Sequence, residues 1–310
     1  MLKDFQAGDK IRHIVLIKVQ KVGSTSTGGV FARGVVQDNS ASINFICFDA
    51  GMVERMRKLE GFVAMQVIGQ IDINKFAQDS SLQLVINKLE EVLPEDNVNH
   101  LLPLAPVDMV AYQEKLKTYL DNLNSNFLKK LLAMIFADVY QQYIKNPAGS
   151  KLHHAYIGGL LEHCIDVTDL AVAMAKVNKN VNLDLVICGA LLHDLGKIME
   201  ISADYGFPYT TKGRLLGHIS MTAMLINSYA EKINSAELVE QELEELLHIV
   251  LSHHGEQEKG SPIACATKES FIVHYADELN AVLNQFENLE DKNEWVFNKM
   301  INRYLYVKGC

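Results

Sequence analysis

His193 and Asp194 stand side by side in LLHDLGK (residues 191–197), where an apolar run that otherwise reads as core ends in three ionisable groups. Neighbouring helical residues point about 100° apart, so the pair diverges from the backbone, yet both side chains can converge on one ion over the helix end. Gly196 is expected as the C′ residue that stops the helix, with Lys197 just beyond. Alone, the pair would also fit a capped helix terminus with a surface ion pair. Its companions change that reading. His163 lies in GGLLEHCIDV, His218 in GRLLGHISM, His253 and His254 at the end of ELLHIVLSHHG, and Asp277 in FIVHYADELN. Each falls on a separate expected helix or at its end, beside residues expected to face a core, such as Leu160, Leu215, Val250 and Ile272. Helices packed side by side can aim such side chains into one pocket, as bundles do when they house metals. Unpaired, these buried groups would cost several kcal/mol each, and coordination removes the difficulty.

Histidine usage points the same way: nine of the eleven fall between His153 and His274, a clustering expected of a metal site. Charge is unevenly divided as well. The net charge is −9, but residues 1–90 carry 11 Lys and Arg against 9 Asp and Glu, which leaves −11 on the remainder. The two ends therefore face different tasks. Cys47, Cys164, Cys188, Cys265 and Cys310 include no CxxC pair, which argues against a zinc ribbon or a disulfide framework. The N-terminal MLKDFQAGDK lacks the apolar run of a signal peptide, and no later stretch approaches the ~20 apolar residues that cross a bilayer. A cytoplasmic location without membrane contact is the expectation.

The elements that must position these residues follow from the hydrophobic period. KIRHIVLIKVQ, GVFARGVVQ, INFICF, GFVAMQVIGQI and LQLVINKL alternate apolar and polar positions and read as five strands separated by turn-rich segments. GMVERMRKLEG forms one short helix between the third and fourth. Three strands, a helix and two strands match the order of an OB-fold barrel. Residues 91–107 hold three of the six prolines and read as a linker. Beyond it the period becomes 3.6: Leu128, Leu131, Leu132, Ile135, Phe136, Val139, Tyr140 and Tyr143 predict a helix over 126–144. Further helices are expected near 156–176, 183–195, 214–231, 237–252 and 267–289. The expected architecture is multidomain, an N-terminal all-β OB-fold barrel (1–92) and a linker (93–107) followed by an all-α domain (108–310).

The ordered set His163, His193-Asp194 and Asp277 resembles the H…HD…D signature of the HD-domain metal-dependent phosphohydrolases, and His218 with His253-His254 resembles the members that hold two metals. The resemblance spans roughly residues 150–290. It implies that His163, His193, Asp194 and Asp277 bind one ion and that Asp194 bridges to a second held by His218 and His253. A mixed imidazole and carboxylate shell suits Mn²⁺, Fe²⁺, Co²⁺, Ni²⁺ or Zn²⁺ better than Mg²⁺ or Ca²⁺, and manganese is the usual metal of the nuclease branch. Two ions ~3.5–4 Å apart that share a carboxylate can activate water and stabilise the entering and leaving oxygens of an in-line attack on phosphorus. Catalytic roles then fall to Asp194, to Lys197 and to His254. Lys197 either neutralises a phosphate oxygen or is a solvated lysine; His254 either touches metal or substrate or supports a ligand by a hydrogen bond. His153 and His154 are expected to meet substrate at the pocket mouth. His248 and His274 read as structural.

OB barrels bind single strands through aromatic platforms and a basic groove, which makes Lys18, Phe31, Arg33, Phe45 and Phe48 candidates for substrate binding. Strand alternation sets Phe45 and Phe48 on opposite sides. The pairing of an OB barrel with an HD domain containing HHAYIGGLLEH, LLHDLGK, GRLLGHIS and LSHHGEQEKGSP resembles the YhaM-like 3′-to-5′ exoribonucleases over nearly the whole chain. That resemblance implies single-stranded RNA, with single-stranded DNA as a further substrate, shortened from the 3′ end to 5′-mononucleotides. The acidic balance of residues 91–310 argues against strong non-specific RNA affinity. The alternative is an HD phosphodiesterase for a nucleotide or cyclic dinucleotide with a regulatory barrel, although such enzymes carry a GYP-containing loop where this chain has GEQEKGSP. A non-enzymatic nucleic-acid-binding protein would gain nothing from buried imidazoles. Exposed helices leave room for a homo-oligomer.

Overall fold

The computed structural model describes residues 1–25, 28–74, 81–93, 96, 98–150, 154–204, 207–287, 294–298 and 302–307. Two compact units divide the chain, Met1–Pro103 and Leu104–Cys310.

In the first unit the alternating segments form β1 (Lys10–Ser24), β2 (Val30–Gln37), β3 (Ser42–Cys47), β4 (Val63–Ile73) and β5 (Leu82–Glu91), with α1 (Ala50–Met56) between β3 and β4. They close into a barrel in the order β1-β2-β3-β5-β4. β3 pairs with β5 in parallel, and the other neighbours are antiparallel. The apolar residue of each alternation points inward: Val15, Ile17, Val36, Phe45, Val67, Ile71 and Leu84 are all buried. Phe45 therefore belongs to the barrel core and is corrected from the substrate-binding set. Phe48, three residues on, is 54% exposed, as the alternation requires. The compact unit extends past the expected domain end at residue 92. Leu101 and Leu102 are buried, and His100 Nε2 meets the Ile14 carbonyl at 2.9 Å, so this part of the proline-bearing segment packs on β1.

Asp38 ties the N-terminal residues to the barrel. Its Oδ2 accepts from Leu2 N at 2.7 Å and lies 3.1 Å from His13 Nε2, while Oδ1 accepts from Ser40 N at 2.8 Å and from Ala41 N at 3.2 Å. Burial opposes ionisation, but the bonds from Ser40, Leu2 and His13 prevail and bring the carboxyl down to about 2. A depressed carboxylate contributes stability above its unfolded value near 3.8 that is lost as pH falls toward 2. Asp38→Asn is expected to cost about 1–3 kcal/mol at pH 7 by weakening several charge-assisted bonds. Urea unfolding of the full chain checks this, and the gap between wild type and variant should shrink below pH 4.

The second unit contains α2 (Met109–Asp121), α3 (Asn126–Tyr143), α4 (Gly159–Lys176), α5 (Leu183–Leu192), α6 (Lys197–Glu200), α7 (Thr211–Leu216), α8 (His218–Ala230), α9 (Glu240–Ser252) and α10 (Lys268–Glu287). Side-chain caps mark several starts, with Asp108, Ser125, Asn182 and Thr210 accepting from backbone N–H groups of the first turn, which satisfies donors the helix itself cannot. α5 is buried from Asp184 to Leu192, as a helix without a polar face must be; it packs against α3, α4, α9 and α10. The helix expected over 214–231 is broken at Gly217, whose φ of 70° takes the chain out of helical geometry. Leu215, expected to face the core, is 77% exposed on α7. One helix beyond those expected and one small sheet occur after residue 108. α2 had no counterpart in the expected helices, because Leu116 is its one buried residue. β6 (Trp295–Asn298) and β7 (Arg303–Tyr306) form an antiparallel two-stranded sheet, whose four-residue strands are too short for a clear alternation. No helix among the described residues is long and apolar enough to cross a membrane.

Candidate metal centre

Five helices meet around Asp194. α4 presents His163 from a buried face, α5 ends in His193 with Asp194 next, α8 begins at His218, α9 ends at His253, and α10 carries Asp277. His163, His193, Asp194 and His253 are each at most 2% exposed. The two carboxylate oxygens of Asp194 face different groups. Oδ2 lies 3.3 Å from His163 Nε2 and 3.4 Å from His193 Nε2; Asp277 Oδ1 approaches the same two nitrogens at 3.2 and 3.8 Å. Oδ1 lies 3.4 Å from His218 Nε2 and 3.8 Å from His253 Nε2. Two donor clusters result, His163 with His193 and Asp277, and His218 with His253 and His254. Asp194 stands between them.

The imidazoles share one orientation. His163 Nδ1 bonds Asn280 Oδ1 at 2.7 Å, His193 Nδ1 the Ala190 carbonyl at 2.8 Å, and His253 Nδ1 the Val250 carbonyl at 2.7 Å. His218 Nδ1 lies 3.0 Å from Glu200 Oε2. An acceptor at Nδ1 holds the proton there and turns the Nε2 lone pair inward, the tautomer a metal ligand needs. The buried Nε2 atoms of His218 and His253 find no hydrogen-bond partner among the described residues. A buried lone pair without a donor is costly, and a cation between the clusters satisfies it. The residues present therefore fit a pair of divalent ions.

Electrostatics favour the ligating protonation states of Asp194, Asp277, His253 and His254. Burial alone would raise the Asp194 carboxyl, but Lys197 and His193 hold it well below the usual range. Asp277 is likewise kept low against its burial, by His163 and His193. Burial pushes His253 well down and His254 down, so both are neutral near pH 7. For His163, burial is outweighed by Asp194 and Asp277, and the imidazole rises to about 9. A bound cation would take the place of this proton as counter-charge to the two carboxylates.

Lys197 is partly buried and places Nζ 2.6 Å from Asp194 Oδ2; it is not the solvated lysine that a helix stop would leave. His254 packs on His253 with ring centroids 4.4 Å apart. Together with Asp194, Lys197, Lys259, His274 and Asp277 it lines an open cavity of about 250 Å³. His274 and His248 hold backbone: His274 Nδ1 bonds the His253 carbonyl at 2.8 Å, and His248 Nε2 accepts from Ala266 N at 3.0 Å. His154 is 1% exposed, and its ring faces α4 and α10, so its expected place at a pocket mouth is corrected. His153 lies outside the described residues. Gly196 has φ −61° and is not a left-handed helix stop. Its small size is what matters, since a Cβ there would sit 2.2 Å from the His218 carbonyl oxygen.

Two supporting residues escaped the sequence reading. Glu200 also accepts from His218 N at 3.0 Å, and Asn280 holds His163. Asn280 follows Asp277 by three residues, so helical spacing already set both on one face; Glu200 offered no such signal. On the barrel, Lys18, Lys21 and Arg33 are exposed and Phe31 is half-buried. Lys21 and Arg33 are cross-strand partners, and Lys18 Nζ lies 5.4 Å from the Phe62 ring centroid.

Residues 160–282, which take in every member of both clusters, match the family model of the HD domain. Solved structures similar to the chain include the SSB domain of a Synechococcus sp. protein, at 13% identity over 28% of this chain and 98% of that one, with a TM-score of 0.23. A putative aspartyl-tRNA synthetase from Leishmania major Friedlin is 10% identical over 37% of this chain and 29% of that one, with a TM-score of 0.23. Asparaginyl-tRNA synthetase from Pyrococcus horikoshii, complexed with asparaginyl-adenylate, is 10% identical over 74% and 58%, with a TM-score of 0.22. None of these three likenesses bears on the chemistry. The barrel topology, the two donor clusters and the family match make this chain an OB-fold-like β-barrel followed by an HD-domain metal-phosphohydrolase fold.

Proposed function

We propose that the protein is a YhaM-like 3′-to-5′ exoribonuclease that hydrolyses single-stranded RNA, and single-stranded DNA as a second substrate, to 5′-mononucleotides with Mn²⁺. The observation that carries this reading is Asp194, whose two oxygens face separate imidazole clusters in one buried pocket, in a chain that also bears a barrel with exposed cations and aromatics. His163, His193, Asp277 and Asp194 would hold one ion; His218, His253 and the other oxygen of Asp194 would hold the second. When bound, two such ions supply a water nucleophile at neutral pH and Lewis acidity toward the phosphate oxygens. Lys197 keeps Asp194 ionised and, from the wall of the open cavity, neutralises charge on the scissile phosphate. Neutral His254, at the same wall, has a ring N–H to offer a phosphate or departing oxygen. Lys18, Lys21, Arg33, Phe48 and Phe62 form the candidate track for the strand, cations for phosphates and rings for bases. The described cysteines are all free, three of them buried, which supports a reducing compartment such as the cytoplasm.

A single digestion series tests the reading. With Mn²⁺, a 5′-labelled single-stranded RNA is expected to shorten one nucleotide at a time from its 3′ end. Lys18→Glu combined with Arg33→Glu, both exposed, is expected to slow turnover of long RNA about tenfold through lost phosphate contacts, with hydrolysis of a small chromogenic phosphodiester unchanged. Inert RNA beside rapid turnover of a cyclic dinucleotide would replace this reading with the regulatory-barrel phosphodiesterase.

A further inference from the structure

Another buried group of donors lies outside the two clusters. Glu162 and Asp166 sit one turn apart on α4, and His154, in the loop before that helix, faces them. One donor atom from each lies within 4.8 Å of the others. His154 is 1% and Glu162 4% exposed, and Asp166 is half-buried. Neighbouring elements fix their positions. Tyr112 Oη on α2 donates to Asp166 Oδ1 at 2.8 Å, and the Asn284 amide on α10 meets His154 Nε2 at 3.5 Å. The His154 carbonyl accepts from Ala148 N at 3.1 Å and Tyr156 N at 2.9 Å. The loop also presses onto α4, where a Cβ at Gly159 would lie 2.1 Å from that carbonyl oxygen. His163 borders this group, with its ring centroid 5.2 Å from that of His154, but aims Nε2 the other way, at Asp194 and Asp277.

Two carboxylates at i and i+4 on a buried helix face repel each other, and an imidazole opposite them completes a mixed nitrogen and oxygen donor set. Such a set suits a first-row divalent cation, Mn²⁺, Fe²⁺, Co²⁺ or Zn²⁺. We propose that His154, Glu162 and Asp166 form a third divalent-cation site, which fastens the loop preceding α4 to that helix. It does not depend on the nuclease reading.

Metal content of the full chain tests it. Protein saturated with Mn²⁺ and freed of excess is expected to hold one equivalent more than either Asp166→Asn or Glu162→Gln by elemental analysis. Asp166→Asn keeps an acceptor for Tyr112 and nearly the same volume; near-UV circular dichroism establishes that it is folded, and Glu162→Gln serves if it is not. Asp194→Asn, which disables the main centre, is expected to retain the equivalent that Asp166→Asn lacks. Equal metal content in wild type and both variants overturns the proposal.

Discussion

Asp194→Asn is expected to lower phosphodiester hydrolysis by about 10³-fold or more, a loss of roughly 4 kcal/mol of transition-state stabilisation, while affinity for single-stranded RNA stays within about twofold. Asn has almost the same shape, so the effect isolates chemistry. One of its two polar atoms becomes an NH₂ donor and can no longer ligate, and the negative charge between the clusters disappears. Whichever way the amide is turned, either the side of His163 and His193 or the side of His218 and His253 loses its oxygen. Stability responds differently. Lys197 Nζ, 2.6 Å from Asp194 Oδ2 and partly buried, loses its nearest counter-charge, and breaking a pair of this kind from one side costs up to about 3–5 kcal/mol. Combining Asp194→Asn with Lys197→Met is therefore expected to recover much of the stability and none of the activity. Turnover under saturating Mn²⁺, filter binding and urea unfolding of both variants separate the two effects. Unchanged turnover in Asp194→Asn would remove Asp194 from the reaction.

Much of this site was legible because candidate ligands close or interrupt apolar helices. His193 follows the buried α5, His253 follows the buried turn of α9, and His163 lies among Leu160, Leu161, Cys164 and Ile165, all fully buried. A titratable residue in such a place needs a partner, and that requirement is visible without coordinates. The partners that work across chain distance were not visible. Glu200 reaches His218 only because α6 and α8 pack together, and nothing in KIME announces it. Phe45 shows the corresponding limit in the barrel: alternation divides a strand into two faces, but closure decides which is the inside. His154 was misjudged for a similar reason, since its place under α4 depends on the carbonyl contact at Gly159. The succession of three strands, a helix and two strands, by contrast, followed from period and turn chemistry alone, and the first unit has it.

Gly196→Ala is expected to destabilise the second unit by about 1–2 kcal/mol and to lower turnover by roughly 10–100-fold at limiting Mn²⁺. Two effects of opposite sign meet at this residue. With φ −61° and ψ −16°, alanine fits the backbone and would by itself add about 0.4–1 kcal/mol by narrowing the unfolded ensemble. Its methyl group, however, would sit 2.2 Å from the His218 carbonyl oxygen and 2.9 Å from His218 Cα. These are backbone atoms, so no rotamer change relieves the overlap. The start of α8 has to retreat, carrying His218 away from Asp194 and straining the bond from Gly196 N to Thr222 Oγ1, now 2.7 Å. Overpacking of this kind costs about 1–3 kcal/mol and outweighs the entropic gain. Because the displaced group is a proposed ligand and the carboxylates stay in place, raising Mn²⁺ should restore part of the lost rate, whereas Asp194→Asn should not respond. A Mn²⁺ titration of turnover beside a thermal melt decides the matter. An alanine variant that melts higher than wild type with the same Mn²⁺ dependence would mean that α8 can yield at Gly196 without moving the ligand.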